Sequence, residues 1–158
     1  MEEPLFVKKA NQVVNKTKVL FLCTGNSARS QMAEAFLRKY AGDHFEPHSA
    51  GLEPKGLHPL TVCVMNEIGI DMSGHSSKEV MTYLGKVHFG YLVTVCSNAE
   101  KNCPRTFLGI SQRLHWDFDD PAATEGSEEE KLAKFRQVRD EIAIKIRTWL
   151  KELGIQPV

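Results

Sequence analysis

The groups best suited to attack a small anion lie in one run, Cys23-Thr24-Gly25-Asn26-Ser27-Ala28-Arg29-Ser30. A thiol is nucleophilic only as thiolate, and an ordinary cysteine ionises near a pH of about 8.5. At a helix N-terminus, among inward-pointing amides, that value falls to between ~3.5 and ~7.5, so a lowered value is expected for Cys23. The short side chains of Thr24, Gly25, Asn26, Ser27 and Ala28 let backbone N–H groups crowd round one anion. Gly25 and Asn26 are the residue types that tolerate left-handed backbone angles. Arg29 can curl back and hold two oxyanion oxygens at once. The Ser30 hydroxyl can donate to the Cys23 sulfur. The plainer account is a strand-to-helix turn, with Cys23 packed as filler and Ser30 as N-cap. The joint C-x5-R-S arrangement favours chemistry, with residues 24–29 as the oxyanion cradle.

Such a loop needs a strand before it and a helix after it. Lys18–Cys23 is a continuous apolar run, the pattern of a buried parallel strand. Met32, Ala33, Phe36, Leu37 and Tyr40 then recur at helical spacing, with Gly42 placed to end the helix. Phe45–Ala50 reads as a second strand. Pro59–Ile68 reads as a helix stopped by Gly69, with Cys63 on its core face, and Ser76–Leu84 reads as a short helix. Phe89–Val95 and Gln112–Phe118 read as further strands. Ser127 and Glu130 form a capping box. It opens a helix whose apolar stripe runs through Leu132, Phe135, Val138, Ile142, Ile146, Trp149 and Leu153. Strands alternating with helices predict one α/β domain, a three-layer sandwich with a four-stranded parallel sheet and helices on both faces. That domain is expected over residues 17–158, with 1–16 as an N-terminal extension.

In such sheets the functional crevice lies at the carboxyl ends of the strands. Cys23, Cys96 and Asp119-Asp120 each sit just past a predicted strand. Asp119-Asp120-Pro121 brings carboxylates next to a residue that stiffens the backbone, and an oxyanion losing an oxygen needs a proton donor. Cys96 and Cys103, separated by the polar segment 97–102, read on their own either as two unrelated thiols or as a working pair.

The 158 residues carry 20 Lys plus Arg against 20 Asp plus Glu. That balance argues against nucleic acid and acidic membranes as partners. No run approaches the roughly 20 apolar residues of a membrane helix. The N-terminus opens on acids and does not read as a signal peptide, so a reducing cytoplasm is expected. Four cysteines are too few for a disulfide scaffold. His44, His48, His58, His75, His88 and His115 show no metal-ligand spacing, so neither a metal nor a cofactor is expected.

VLFLCTGNSARSQMAEAFLR resembles the phosphate-binding loop and first helix of the low-molecular-weight tyrosine phosphatase superfamily. HSAG, VTVCSNAEKNCP and HWDFDDPAA make the chain most similar to its thioredoxin-coupled arsenate reductases, from about Lys18 to Leu153. The resemblance implies that fold and a substrate such as arsenate, with phosphate or sulfate as analogues. It implies Asp120 as general acid and a relay in which Cys23, Cys96 and Cys103 react in turn, the last two forming a disulfide that thioredoxin reduces. A phosphatase would need one thiol only, whereas a reductase must also supply two electrons.

The relay has a geometric consequence. A disulfide needs Cα atoms within about 7 Å, while seven residues of helix span roughly 10 Å. Residues 96–104 are therefore expected to change shape with redox state. Hydrogen exchange in the reduced and oxidised protein checks this, and equal protection would count against it.

Departures from the family pattern inform the choice of activity. Ala28 replaces a cysteine frequent in the family loop. Glu34 and Ser49 match potassium ligands of some members, but Lys78 stands where an acidic ligand would be, so no bound potassium is expected. The alternative, a phosphotyrosine phosphatase, is disfavoured by Gln31 in place of proline and by Ala122 and Ala123 in place of ring-gripping aromatics. An anion-binding redox sensor would use the same thiols without needing Asp120.

Overall fold

A computed structural model describes residues 16–103 and 109–158. The 1–15 part of the expected extension and residue 104 of the expected redox-sensitive segment lie outside the described residues. Four strands form one parallel sheet: β1 (Thr17–Cys23), β2 (Phe45–Gly51), β3 (Phe89–Thr94) and β4 (Ile110–His115), in the order β2-β1-β3-β4. Successive strand side chains point to opposite faces. Val19, Leu20, Phe21 and Leu22 of β1 are all fully buried, so both faces of the sheet are covered.

Four helices supply the cover and the crossovers: α1 (Arg29–Ala41), α2 (Pro59–Asn66), α3 (Ser97–Asn102) and α4 (Glu128–Glu152). The Ser127–Glu130 capping box opens α4. Its stripe buries Phe135, Val138, Ile142, Ile146 and Trp149, leaving Leu132 half-buried and Leu153 exposed. Trp149 stacks on Phe45 and meets Tyr91 and Trp116 edge-on, which ties α4 to β2, β3 and the chain after β4.

Four expectations change. The 76–84 segment is not a helix but an extended stretch followed by a 3-10 turn at Val80–Thr82. The Lys78 N–H donates to Asn26 Oδ1, the Lys78 carbonyl accepts from Gly51 N, and Glu79 bridges Gly51; these tertiary bonds outweigh the local pattern. The last strand ends at His115, before the expected Phe118. The second helix ends at Asn66, with Gly69 in the turn beyond at φ 81°. Its buried face is Thr61, Val64 and Met65, which turns Cys63 outward to solvent rather than into the core.

Candidate active site

Cys23 closes β1, and residues 24–28 form the loop leading into α1. The loop's carbonyls are taken from outside. Leu52 N donates to Cys23 O (3.1 Å), Glu53 N to Thr24 O (2.8 Å), Lys55 N to Gly25 O (2.9 Å) and His58 N to Ser27 O (3.0 Å). Peptide N–H and C=O groups point in opposite directions, so carbonyls held outward turn the loop's amides inward. Asn26 N donates to Cys23 Sγ at 3.2 Å. Gly51, the last residue of HSAG, permits this fit. A Cβ there would stand 2.7 Å from Thr24 O and 2.9 Å from Asn26 N, inside van der Waals contact.

Asn26 alone among the described non-glycine residues has a positive φ, 49°. Gln31, fully buried on α1, holds it there: its amide donates to Asn26 O (3.1 Å), Asn26 Oδ1 (3.0 Å) and Ser76 O (2.8 Å). Its own oxygen lies 3.1 Å from His75 Nδ1. Burial pushes the His75 imidazole down, favouring the neutral ring with a proton on Nδ1 for this bond. A proline at position 31 offers no such clamp. Asn26 Nδ2 donates to Ser30 Oγ (2.7 Å), so the Ser30 proton is left to point at Cys23 Sγ, 2.8 Å away. The N-cap position falls to Ala28, which removes the plain capping role considered for Ser30.

Cys23 is 2% exposed at the floor of a cleft of about 660 Å³. Burial pushes its thiol up, against the Ser30 hydrogen bonds, the Arg29 charge and the Asn26 N–H, all of which pull it down. The expected lowering is thus corrected. Packing that excludes water from the sulfur outweighs the donors the loop aims at it.

Arg29, at the first turn of α1, reaches across the cleft. Its Nη1 donates to Phe118 O (3.1 Å), and its Nη2 lies 3.7 Å from Asp120 Oδ2. Asp120 caps the Pro121–Ala123 turn by accepting from Ala122 N (3.0 Å), which leaves Oδ2 facing the guanidinium. Asp119 points away to Lys134 (2.8 Å), whose hydrogen bond holds its carboxyl below the usual range.

Cys96, two residues past β3, opens on the same cleft. It forms the N-cap of α3, its sulfur accepting from Ala99 N (3.4 Å), and lies 3.5 Å from Thr24 Oγ1. Asn98 Nδ2 donates to that hydroxyl (2.8 Å), tying α3 to the loop. Cys103 caps the other end of α3 and is buried away from the cleft lining. The structure therefore brings Cys23, residues 24, 25, 27, 28 and 29, Cys96 and Asp120 to one cavity. Cys103 stands one short helix behind them.

Sequence reasoning missed Asn98, the Phe118 carbonyl and Lys55, which also lines the cleft. Asn98 carried the signal of a polar residue two places after a candidate cysteine. A carbonyl carries none. On the far side of the loop, Glu34 accepts from Ser49 Oγ (2.5 Å), and the Lys78 ammonium stands 4.0 Å from Glu34 and 2.5 Å from Ser76 O. Among the described residues no group of three or more His, Cys, Asp and Glu is arranged to hold a metal ion.

A parallel α/β sheet presenting a cysteine, an amide-lined loop and an arginine at its carboxyl edge defines a protein that handles tetrahedral oxyanions through a thiol. Residues 18–157 match the family described as low molecular weight phosphotyrosine protein phosphatase, and the chain belongs to that family. It is similar to an arsenate reductase of Halalkalibacterium halodurans, 48% identical over 137 residues that cover 86% of this chain and 96% of the relative. Among solved structures it resembles an arsenate reductase in the phosphate binding state, with a TM-score of 0.72 and 28% identity over 86% of this chain and 98% of that one. It also resembles a thioredoxin-dependent arsenate reductase of Corynebacterium glutamicum, with a TM-score of 0.64 and 26% identity over 96% of this chain and 69% of that one.

Proposed function

We propose that this chain is an arsenate reductase that spends its own thiols as the two-electron donor and is regenerated by thioredoxin. The observation that carries the reading is the shared cleft. A second cysteine, Cys96, opens on the cavity that holds Cys23, Arg29 and Asp120. A phosphatase has no use for it. Residues 17–158 form the single catalytic domain, and a relay of free thiols calls for a reducing compartment such as the cytoplasm.

Arsenate enters the cradle of residues 24–29, where Arg29 exchanges its protein partners for two substrate oxygens. The buried Cys23 thiol passes its proton to an oxygen of the bound arsenate, and its sulfur, with Ser30 and Asn26 N–H as donors, bonds to arsenic. One oxygen leaves with a proton from Asp120, giving a Cys23–arsenic adduct. Cys96 thiolate then attacks Cys23 Sγ. The sulfur–arsenic bond breaks, its electron pair stays with arsenic, and arsenic(V) leaves as arsenite. Cys103 attacks Cys96 and releases Cys23 as thiolate. The Cys96–Cys103 disulfide passes to the thioredoxin dithiol.

Proton donation by a placed carboxyl contributes on the order of 10²–10⁴. Asp120→Asn is expected to slow formation of the Cys23–arsenic adduct by that factor while leaving thermal stability near wild type, since the amide oxygen can still accept from Ala122 N. Rapid quench with mass detection of the adduct checks this. An unchanged adduct rate would remove Asp120 from the acid role. Ala122 and Ala123 line the cleft where a phosphotyrosine ring would need aromatic walls, so aryl phosphates are expected to be poor substrates.

A further inference from the structure

The last thiol of the relay, Cys103, lies buried outside the cleft that holds the other two. Cys103 is 2% exposed, and its backbone N–H is bonded to Ala99 O (2.9 Å) at the C-cap of α3. Burial among apolar groups favours the neutral thiol, which is a poor nucleophile. Among the described residues a cation meets the sulfur. Arg113, in the middle of β4 and paired with Leu92 of β3, directs Nη1 at Cys103 Sγ from 3.9 Å. Its Nη2 donates to Glu100 Oε1 (3.4 Å), and that oxygen also accepts from Thr94 Oγ1 (3.0 Å). Thr94 Oγ1 in turn lies 2.8 Å from His115 Nδ1. Glu100 stands three residues before Cys103 at the end of α3, so both side chains lie on one side of the segment.

We infer that Arg113 is a catalytic residue of the thiol relay, holding Cys103 as the thiolate that attacks Cys96, with Glu100 aiming the guanidinium and moderating its charge. The inference rests on the arsenate-reducing reading above and adds the group that makes its third step possible. Cys103 gives its proton to solvent before that step, in which its thiolate sulfur bonds to Cys96 Sγ. The Cys23–Cys96 bond breaks, and Cys23 departs with the electron pair, so the exchange is redox-neutral. Among the described residues the charged groups that Cys103 meets, directly or through one neighbour, are Arg113 and Glu100, with His115 beyond Thr94. An opposite charge at this range lowers a pKa by about 1–3 units, and the Glu100 carboxylate opposes part of that.

The test uses the full chain with only Cys103 left among its cysteines (C23S, C63S, C96S). The rate of iodoacetamide alkylation is followed against pH. Arg113→Gln is expected to raise the midpoint by about one pH unit, Arg113→Lys to restore part of the shift, and Glu100→Gln to lower the midpoint. A role in folding alone would not move the two charge-neutralising variants in opposite directions. In the otherwise native chain, Arg113→Gln is expected to accumulate the Cys23–Cys96 disulfide after its first equivalent of arsenite, seen by acid quench and mass mapping. An unmoved midpoint in Arg113→Gln, or shifts of the same sign in Arg113→Gln and Glu100→Gln, would overturn the inference. Failure of the wild type to make arsenite would instead overturn the reading it rests on, while the alkylation midpoints would still decide the role of Arg113.

Discussion

Cys23→Ser is expected to bring arsenite formation down to background, a fall on the order of 10⁶, the scale seen when an enzyme loses its nucleophile. Two losses combine. A serine hydroxyl at the floor of the cleft gives up its proton far less readily than the Cys23 thiol beside the same Ser30, Asn26 N–H and Arg29 groups, because an alcohol is a far weaker acid than a thiol. An oxygen attached to arsenic also cannot accept Cys96 in a disulfide, so no path delivers electrons even from an adduct that forms. The fold should survive, since serine is smaller than cysteine and can bond to Ser30 in the same place. Arsenite release with a thioredoxin system, beside a thermal melt, measures both quantities. Residual activity above about one part in a hundred with an intact fold would remove Cys23 from the centre of the reaction.

Cys96→Ser separates the reductase from the phosphatase. The loop, Arg29 and Asp120 remain untouched, so phosphate-monoester cleavage, slow in the wild type, is expected to continue at the same slow rate. Arsenite release is expected to stop, leaving the Cys23–arsenic adduct. The reason is positional. Cys96 is the second cysteine on the cleft, with its sulfur 3.5 Å from Thr24 Oγ1, whereas Cys103 stands at the far end of α3 and Cys63 faces solvent on α2. Neither can replace it without a large movement. Continued arsenite production by Cys96→Ser would assign the electrons to another donor.

The sheet was legible because β1 and β3 are apolar without interruption, which happens when a strand is covered on both faces. The loop was legible because its chemistry is local, with nucleophile, arginine and serine within eight residues. Long-range hydrogen bonds were not legible. Residues 76–84 read as a short helix, but Asn26 and Gly51 bind the Lys78 backbone and draw the first part of the segment straight. Gln31 was noted only as a substitution for proline, yet its three donations fix the left-handed Asn26 on which the cradle depends. Cys63 was misplaced because α2 is two turns long, too short for periodicity to decide its buried face. The Cys23 thiol was expected to be pulled down by its donors. Its near-complete burial, a property of the packed cleft rather than of the loop's sequence, reverses the balance.

The wild-type protein, fully reduced, stripped of added thiol and mixed with excess arsenate without thioredoxin, offers the most direct measurement. Acid quench, counting of free thiols and mass mapping of the peptides should give one arsenite per chain, the loss of two thiols, and a bond joining Cys96 to Cys103 with Cys23 and Cys63 still free. No arsenite and four intact thiols, in a sample that hydrolyses aryl phosphates rapidly, would contradict the account.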